Sequence, residues 1–330
     1  MRAPDFWRAD GGAARLLDPL GRAYGLAGTL RRRLVTPTHA RVPVICIGNL
    51  TVGGSGKTPT AIAIAKHLQA MHARPHFLTR GYGGRERGPL RVDPAAGHDA
   101  AAVGDEALLL ARAATAWVSA DRVAGADAAA AAGASHIVMD DGLQNPYLAK
   151  DLTFLVIDGA VGFGNRRLLP AGPLREPIAD ALARIDAAIV IGEDRAGIEA
   201  LLPAGLTRLQ ADLAPDGDLG HLEGQRVLAF AGIGRPEKFF ETLEGLGADI
   251  VETYPFPDHH RYRPKEIERL IMRARQFDAV PITTEKDHVR LAPNFGKSVE
   301  KLPVRLKFHK PLRLNELLST TLAGHAAAAK

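Results

Sequence analysis

Short apolar runs alternate along the chain with longer stretches in which apolar residues recur every three or four positions. The short runs predict buried strands, and the longer spacing predicts helices that each bury one face. Because strand and helix alternate, the pattern is typical of a parallel sheet covered by helices. In the first part of the chain the predicted strands are residues 42–47, 76–79, 136–139, 152–157 and 187–191, and the predicted helices are residues 59–71 and 105–115.

A polar, glycine-rich stretch at residues 214–224 separates this first part from a second block of strands and helices. One helix of the block has Pro236 near its start and Gly247 past its end, which are the positions that these residues favour. The other predicted elements are strands at residues 226–231, 250–254, 280–284 and 304–308, and a helix that begins at Pro264. We therefore expect two α/β lobes, residues 42–220 and a smaller one at residues 221–330, with a cleft between them.

Residues 1–41 predict an N-terminal amphipathic helix. Asp18 can cap this helix, Pro19 suits its first turn, and three arginines at residues 31–33 end it where cations favour the helix dipole. Its apolar stripe consists of Leu20, Tyr24, Ala27, Leu30 and Leu34. Two interpretations stay open: the helix packs on its own domain, or it lies on an anionic membrane with its apolar residues in the interface.

Composition and charge narrow the class of protein. The chain has 330 residues, of which 46% are hydrophobic and 24% charged, so it can bury the core of one large or two ordinary domains. Residues 1–41 hold eight Arg, no Lys and three Asp, so the whole net charge of +5 falls on this segment. A nucleic-acid-binding protein usually carries a basic stripe on its folded domain, and we therefore expect no nucleic-acid partner.

Compartment and membrane topology follow from cysteine usage and from the length of the apolar runs. Cys46 is the single cysteine and lies in an apolar run, so we expect a buried thiol and a reducing cytoplasm. Apolar runs of about 18 residues, which a spanning helix needs, do not occur in the sequence. The N-terminus also lacks the compact apolar run of a signal peptide, so we expect no export.

The stretch "ICIGNLTVGGSGKTPTAIAIAKHL" combines an apolar strand, a glycine-rich loop and a helix. Its loop resembles the phosphate-binding pattern G-x-x-x-x-G-K-[ST], except that Thr51 stands where the first glycine is usual. Glycines let backbone N–H groups turn onto phosphate oxygens, Lys57 can reach the β- and γ-phosphates, and Thr58 can offer its hydroxyl to Mg²⁺. We therefore predict a P-loop NTPase-like parallel sheet with helices on both faces. The predicted nucleotide site consists of Thr51, Val52, Gly53, Gly54, Ser55, Gly56, Lys57 and Thr58.

Two adjacent acids, Asp140 and Asp141, follow a predicted strand in "HIVMDDGLQN". A phosphate loop usually works with an acid at the end of a neighbouring strand that holds Mg²⁺, so both are candidate metal ligands. The structural alternative is a polar strand end or a helix cap. The position at a strand tip, followed by glycine, favours the metal.

Asp105 in "VGDEALLLA" and His259 in "FPDHHRY" are candidates for the group that positions or deprotonates an acceptor hydroxyl. Asp105 would also serve as a helix cap and His259 as a solvated loop residue, and spacing alone leaves both interpretations open. The loop at residues 158–177 is long for a compact domain, which is typical of functional or mobile segments. The segment "TTEKDHVRL" differs from the guanine-binding [NT]-K-x-D pattern because Lys286 comes one place late, so we reject a GTPase.

Together these stretches resemble the tetraacyldisaccharide 4'-kinase family of lipid A biosynthesis. The shifted loop is itself the family's form, so Thr51 is a family trait. The sequence departs from the family at Leu143, where an aromatic residue is common, and at Ala107, where proline is common. The matching pieces, in chain order, are "FW" with "LLDPLGRAYG", "VPVICIGNLTVGGSGKTP", "TRGYGG", "VGDEALLLA", "VMDDGLQN", "PAGPLREP", "AGIGRPEKFF", "FPDHHRY" and "TTEKDHVRL".

The resemblance implies transfer of the γ-phosphate of ATP, with Mg²⁺, to the 4'-hydroxyl of a tetraacylated glucosamine disaccharide 1-phosphate. It also implies a monotopic enzyme on the cytoplasmic face of the bacterial inner membrane, which favours the membrane interpretation of the N-terminal helix. The catalytic residues that it implies are Asp105, His259, Lys57, Glu176 and Arg80, and the metal-binding residues are Thr58, Asp140 and Asp141.

Two other functions stay open on the residues alone. A nucleotide-switched P-loop binding protein would lack acceptor chemistry, and the presence of Asp105 and His259 counts against it. A soluble sugar or cofactor kinase would act without a membrane, and deletion of residues 1–34 would distinguish it from a lipid kinase.

Overall fold

Two sheets lie on either side of a cleft in the computed structural model, which describes residues 4–7 and 9–328. Numbered in chain order, the strands are β1 (Val44–Gly48), β2 (Pro75–Thr79), β3 (Leu90–Arg91), β4 (Ala116–Val118), β5 (His136–Asp140), β6 (Leu152–Asp158), β7 (Ala187–Ile191), β8 (Thr207–Pro215), β9 (Arg226–Ala231), β10 (Asp249–Pro255), β11 (Val280–Thr284), β12 (Glu300–Leu302) and β13 (Val304–Phe308). The helices are α1 (Gly12–Arg33), α2 (Lys57–Ala70), α3 (Ala100–Val103), α4 (Asp105–Ala113), α5 (Arg122–Ala131), α6 (Ile178–Leu182), α7 (Pro236–Gly245), α8 (Pro264–Gln276), α9 (Glu285–His288) and α10 (Pro311–Ala328).

The larger sheet has the strand order β13-β8-β7-β6-β1-β5-β2-β4-β3 and is parallel except at its two edges. Strands β1, β5 and β7 are buried along their whole length because helices cover both faces. Side chains of β6 alternate between two cores: Phe154 and Val156 pack with Ile64 of α2, and Leu155 and Ile157 pack on the side of α6. The predicted parallel sheet with helices on both faces is confirmed.

The smaller sheet has the order β10-β9-β11-β12, and all its pairs are parallel. Helices α7 and α8 cover its two faces, since Leu243 packs with Val227 on one side and Leu270 packs with Phe230 on the other. This unit is the predicted second α/β block, and β9 and β11 have the bounds that the apolar runs predicted.

The last strand of the chain joins the larger sheet, and the last helix packs on that sheet. The sequence analysis had placed residues 304–308 in the second block, so that placement was wrong. Strand β13 pairs antiparallel with β8, and Leu314 and Leu318 of α10 are buried in the core that contains α2. An apolar run predicts a strand but not the sheet edge that it joins, so the return of the chain was missed. Strand β8 was also missed, because its residues are only partly buried.

Helix α1 begins at Gly12, well before the predicted cap at Asp18, and Pro19 lies inside it. The prediction of the helix start was therefore wrong. Asp18 pairs with Arg22 at 2.8 Å and with Arg167 at 2.6 Å, so ion pairs engage the carboxylate that capping would have required.

The small residues of α1 face the protein, and its large apolar residues face outward. A Cβ added to Gly25 would lie 2.5 Å from the Leu168 side chain, so this helix face approaches the loop after β6 closely. The outward-facing side chains are Leu16, Leu20, Tyr24, Leu26, Leu30 and Leu34. The predicted apolar stripe is thus directed away from the protein. None of the helices within residues 4–7 and 9–328 has the length and continuous apolarity that crossing a bilayer requires.

Candidate active site

The phosphate loop connects β1 to α2, and its glycines have conformations that other residues rarely adopt. Gly53 and Gly56 have φ angles of 117° and 85°, in the region that favours glycine. A Cβ on Gly56 would lie 2.5 Å from Ile191, whereas Gly53 and Gly54 face open space. Helix α2 begins at Lys57, so the backbone N–H groups of its first turn face the loop's concave side. This arrangement forms a site for phosphate oxygens.

Lys57 and Thr58 are both buried beneath this loop. The Lys57 ammonium donates to the Asn49 side-chain oxygen at 3.2 Å and lies 3.8 Å from a carboxylate oxygen of Asp141. The Thr58 hydroxyl donates to the carboxylate of Asp140 at 2.8 Å. The structure therefore brings the predicted loop residues and both predicted acids to one place.

The two adjacent acids differ in their partners. Asp140 is buried, and its Oδ1 atom has no hydrogen-bond partner among the residues that the structure describes. Asp141 has a φ of 55°, which directs its carboxylate toward Arg175, with both oxygens 2.9 Å from the guanidinium. An unpaired carboxylate oxygen beside the Thr58 hydroxyl fits a hard cation such as Mg²⁺, which prefers oxygen ligands. The residues at this point therefore fit the predicted metal, with Asp140 the better placed acid.

The electrostatic environments of the two acids are opposite. Burial raises the pKa of Asp140 to about 7, and the charges of Glu106 and Asp141 add to this effect while Lys57 opposes it. Burial would also raise the pKa of Asp141, but the Lys57 and Arg175 charges outweigh it and hold that pKa below its ordinary value. A bound cation would compensate the buried charge of Asp140.

Asp105 and His259 meet across the cleft. Asp105 begins α4 beside the larger sheet, and His259 follows β10 of the smaller sheet. The Nδ1 atom of His259 lies 3.1 Å from Oδ2 of Asp105, and its Nε2 atom lies 3.3 Å from the Lys286 ammonium. His259 has a φ of 58°, a strained backbone conformation of the kind that clusters at functional sites. The imidazole is thus held between a carboxylate and a cation.

Asp105 stays ionised in this environment. Burial alone would raise the pKa of its carboxyl, but the hydrogen bond with His259 and the charges of Lys286 and Arg290 hold this pKa far below its ordinary value. A carboxylate that does not take up a proton near neutral pH orients the imidazole instead of acting as the base.

Glu176 and Arg80 occupy different surroundings. Glu176 is 1% exposed, and its carboxylate pairs with Arg32 of α1 at 3.1 Å and with Arg184, while accepting a hydrogen bond from Gln144 at 3.0 Å. It therefore lies behind the cleft surface, which Gln144 reaches. Arg80 is exposed and lines the cleft directly.

The cleft has a volume of about 1980 Å³, and Lys57, Asp141 and His259 all line it. Its walls carry the phosphate loop on one side and the segment with Asp258 and His259 on the other. Tyr82 stands at the rim, with its ring 5.6 Å edge-on from that of His259. A nucleotide on the phosphate loop and an acceptor at His259 would share this space.

Several polar residues of the site were missed by the sequence analysis. Five of them lie inside stretches that helped to identify the family but were assigned no role in the site, whereas Arg122 lies outside those stretches. Arg122 was also missed; burial and the neighbouring Arg80 charge lower its pKa to about 10. The other missed residues are Asn49, Gln144, Arg175, Lys286 and Arg290.

Comparison with known proteins gives one family over most of the chain. A family model described as tetraacyldisaccharide-1-P 4'-kinase matches residues 13–323. The chain is similar to the tetraacyldisaccharide 4'-kinase of Rhodospirillum centenum, with 53% identity over 98% of both chains. It is also similar to that of Gluconacetobacter diazotrophicus, with 54% identity over 98% of both chains.

Among solved structures, the fold is similar to that of LpxK from Aquifex aeolicus in complex with ATP. The TM-score is 0.76, with 27% identity over 94% of this chain and 99% of that chain. The similarity thus extends from the sequence to the fold of nearly the whole chain. The chain belongs to the tetraacyldisaccharide 4'-kinase family.

Proposed function

We propose that this protein is an ATP-dependent lipid kinase of lipid A biosynthesis, which phosphorylates the 4'-hydroxyl of a tetraacylated glucosamine disaccharide 1-phosphate. The observation that carries the proposal is the meeting of a phosphate loop and an Asp–His pair in one cleft. A switch protein needs the first of these features but has no use for the second. The family membership supplies the identity of the acceptor.

The nucleotide would lie on the loop at residues 51–58, with its γ-phosphate directed into the cleft. The backbone N–H groups of this loop would bind the phosphate oxygens, and Lys57 would neutralise charge on the transferred group. The Ser55 hydroxyl is buried without a hydrogen-bond partner in the described residues, so it is free to contact a phosphate oxygen. The ATP complex of the related LpxK supports ATP as the nucleotide.

Thr58 and Asp140 would hold Mg²⁺, which when bound would neutralise charge that develops on the β- and γ-phosphate oxygens. Asp141 would not bind the metal directly, because its carboxylate already pairs with Arg175 and lies near Lys57. In that position Asp141 keeps the Lys57 ammonium beside the phosphates. The sequence predicted both acids as metal ligands, but in this proposal only Asp140 would bind the metal, and Asp141 would position Lys57.

His259 would accept the proton of the 4'-hydroxyl through Nε2. Asp105 would keep the other ring nitrogen protonated, which leaves Nε2 with its lone pair free for the acceptor. Lys286, which contacts Nε2 in this structure, would move toward Glu106, whose carboxylate is 3.5 Å from the ammonium. Arg80 would contact the substrate directly, while Glu176 would position Gln144 at the cleft wall.

The acceptor is a lipid, so we propose that residues 1–41 hold the enzyme on the membrane surface, at the cytoplasmic face of the inner membrane. The outward leucines of α1 would enter the interface, and the exposed Arg31 and Arg33 would face anionic headgroups. Residues 42–220 would form the kinase domain and residues 221–330 the C-terminal lobe, with β13 and α10 returning to the kinase sheet.

Transfer of label from γ-labelled ATP to lipid tests the proposal. Wild-type protein with Mg²⁺ and the disaccharide 1-phosphate in detergent micelles should give a labelled lipid. Lys57→Ala should lose most turnover, and His259→Ala should decrease kcat by about a hundredfold or more while leaving KM for ATP nearly unchanged. Nucleotide hydrolysis that ignores the lipid would instead support the P-loop switch protein.

A further inference from the structure

Arg290, in the segment "TTEKDHVRL" of the smaller lobe, has no role in the chemistry proposed so far, yet it contacts Asp105 across the cleft. Arg290 follows α9, and its Nε atom donates to Oδ2 of Asp105 at 2.8 Å, with a second short contact from its terminal nitrogen. The same oxygen lies 3.1 Å from His259. The side chains of Arg290 and Asp105 are each 6% exposed, so this ion pair is closed off from solvent.

Arg290 is itself fixed by a buried network. Its other terminal nitrogen donates to the Gly232 carbonyl and to the Asp287 carboxylate, both at 2.8 Å. Asp287 is fully buried and accepts hydrogen bonds from the Tyr262 hydroxyl at 2.9 Å and from Thr284 at 2.7 Å. The guanidinium therefore has one orientation, set by the smaller sheet, and it presents that orientation to Asp105.

The ion pair between Arg290 and Asp105 changes the charge that the His259 imidazole faces. The groups that face the imidazole or its direct partners are Asp105 and Glu106 of α4, Asp258 of its own loop, Tyr82, Lys286 and Arg290. An Asp105 carboxylate without Arg290 would favour the charged imidazole, which cannot accept a proton. Arg290 lies against that carboxylate and offsets its charge.

We propose that Arg290 is a positioning residue for phosphoryl transfer, which fixes the Asp105 carboxylate against His259 and keeps the imidazole able to accept a proton. The proposal rests on the proposed kinase function. It assigns two separable effects to one side chain: its geometry sets kcat, and its charge sets the pH at which kcat declines on the acid side.

The test is the pH dependence of kcat for lipid phosphorylation in wild type, Arg290→Gln and Arg290→Lys. Arg290→Gln should decrease kcat at neutral pH at least about tenfold and move the acid limb upward by at least about half a pH unit. Arg290→Lys keeps the charge but loses the forked geometry, so kcat should decrease at least about fivefold with the acid limb near the wild-type position. KM for ATP should change little in both variants.

Arg235→Gln is the matched control, because Arg235 also forms an ion pair across the cleft, with Asp158 at 3.0 Å, without contacting Asp105 or His259. Its acid limb should stay at the wild-type position. A wild-type kcat and acid limb in Arg290→Gln, or an equal shift in Arg235→Gln, would overturn the proposal. If Arg290→Gln does not fold, Arg290→Lys decides, and a wild-type kcat in that variant is the contrary result. Absence of lipid phosphorylation by the wild type would instead overturn the kinase function itself.

Discussion

At the scale of single residues, the two adjacent acids illustrate what sequence can and cannot predict. A strand tip followed by "DDG" predicted that two carboxylates lie together at the end of a strand, because the signal is local. The different roles that we propose for them rest on the positive φ of Asp141 and on Arg175, which is 34 residues away along the chain. The spacing of residues in the sequence does not predict such a partner. Asp140 and Asp141 therefore could not be distinguished from the sequence alone.

The buried carboxylate of Asp140 should decrease the stability of the folded protein when it is ionised. Since its pKa in the folded protein lies near 7, above the ordinary 3.8, its contribution to stability decreases as pH rises from about 4 to about 7. Without metal at about pH 8, we expect Asp140→Asn to raise the free energy of unfolding by about 1–2 kcal/mol. With Mg²⁺ and both substrates, the same variant should lose turnover. Thermal unfolding at about pH 5 and about pH 8 measures this, and the gain should be smaller at the lower pH.

Asp141→Asn is the control with the opposite sign. The pKa of Asp141 is lowered in the folded protein, so its charge contributes stability above its ordinary pKa and loses it on acidification. This variant should unfold more easily at about pH 8. If both substitutions changed stability in the same direction, the assignment of the two acids would be wrong.

At the scale of secondary structure, α1 is the element whose pattern was visible and whose orientation was not. The apolar stripe was predicted from its spacing, but the same spacing suits a helix packed on its domain and a helix on a membrane. The glycines decide, because the close approach of Gly25 to Leu168 leaves no room for a large side chain on that face. The leucines are consequently left on the outside.

We expect Leu26→Ser to weaken binding to anionic phospholipid vesicles about five- to tenfold, because one apolar side chain is withheld from the interface. Leu312→Ser on α10 is the matched control, since Leu26 and Leu312 are 71% and 76% exposed. Sedimentation with vesicles measures both, and thermal unfolding should be unchanged in each. Equal loss of binding in the two variants would contradict a membrane surface on α1.

Added salt separates the two forces that act on this helix. Arg31 and Arg33, which are exposed, should attract anionic headgroups, and this attraction is screened beyond about 8–10 Å at physiological ionic strength. Vesicle binding should therefore weaken with salt but not vanish. Binding that salt leaves unchanged would mean that the leucines alone hold the helix.

At the scale of the whole molecule, the central feature is the cleft between the larger and the smaller sheet. Buried runs predicted β7, β9 and β11 to the residue, because their signal lies within each strand. The antiparallel pairing of β13 with β8 could not be predicted, because it joins segments about ninety residues apart through partly buried edges. The ion pairs Asp105–Arg290 and Asp158–Arg235 connect the two sides of the cleft. They also join residues far apart in the sequence, so they could not be predicted either.

The position of the new phosphate tests the central claim, that this cleft joins ATP to one hydroxyl of a lipid. Wild-type protein would be incubated with ATP, Mg²⁺ and the disaccharide 1-phosphate in micelles, and the product position determined by NMR. A matched acceptor without the 4'-hydroxyl is the control. The account predicts phosphate at the 4'-position and no transfer to the control lipid. Phosphate on another hydroxyl, or ATP consumption at the same rate with either acceptor, would contradict it.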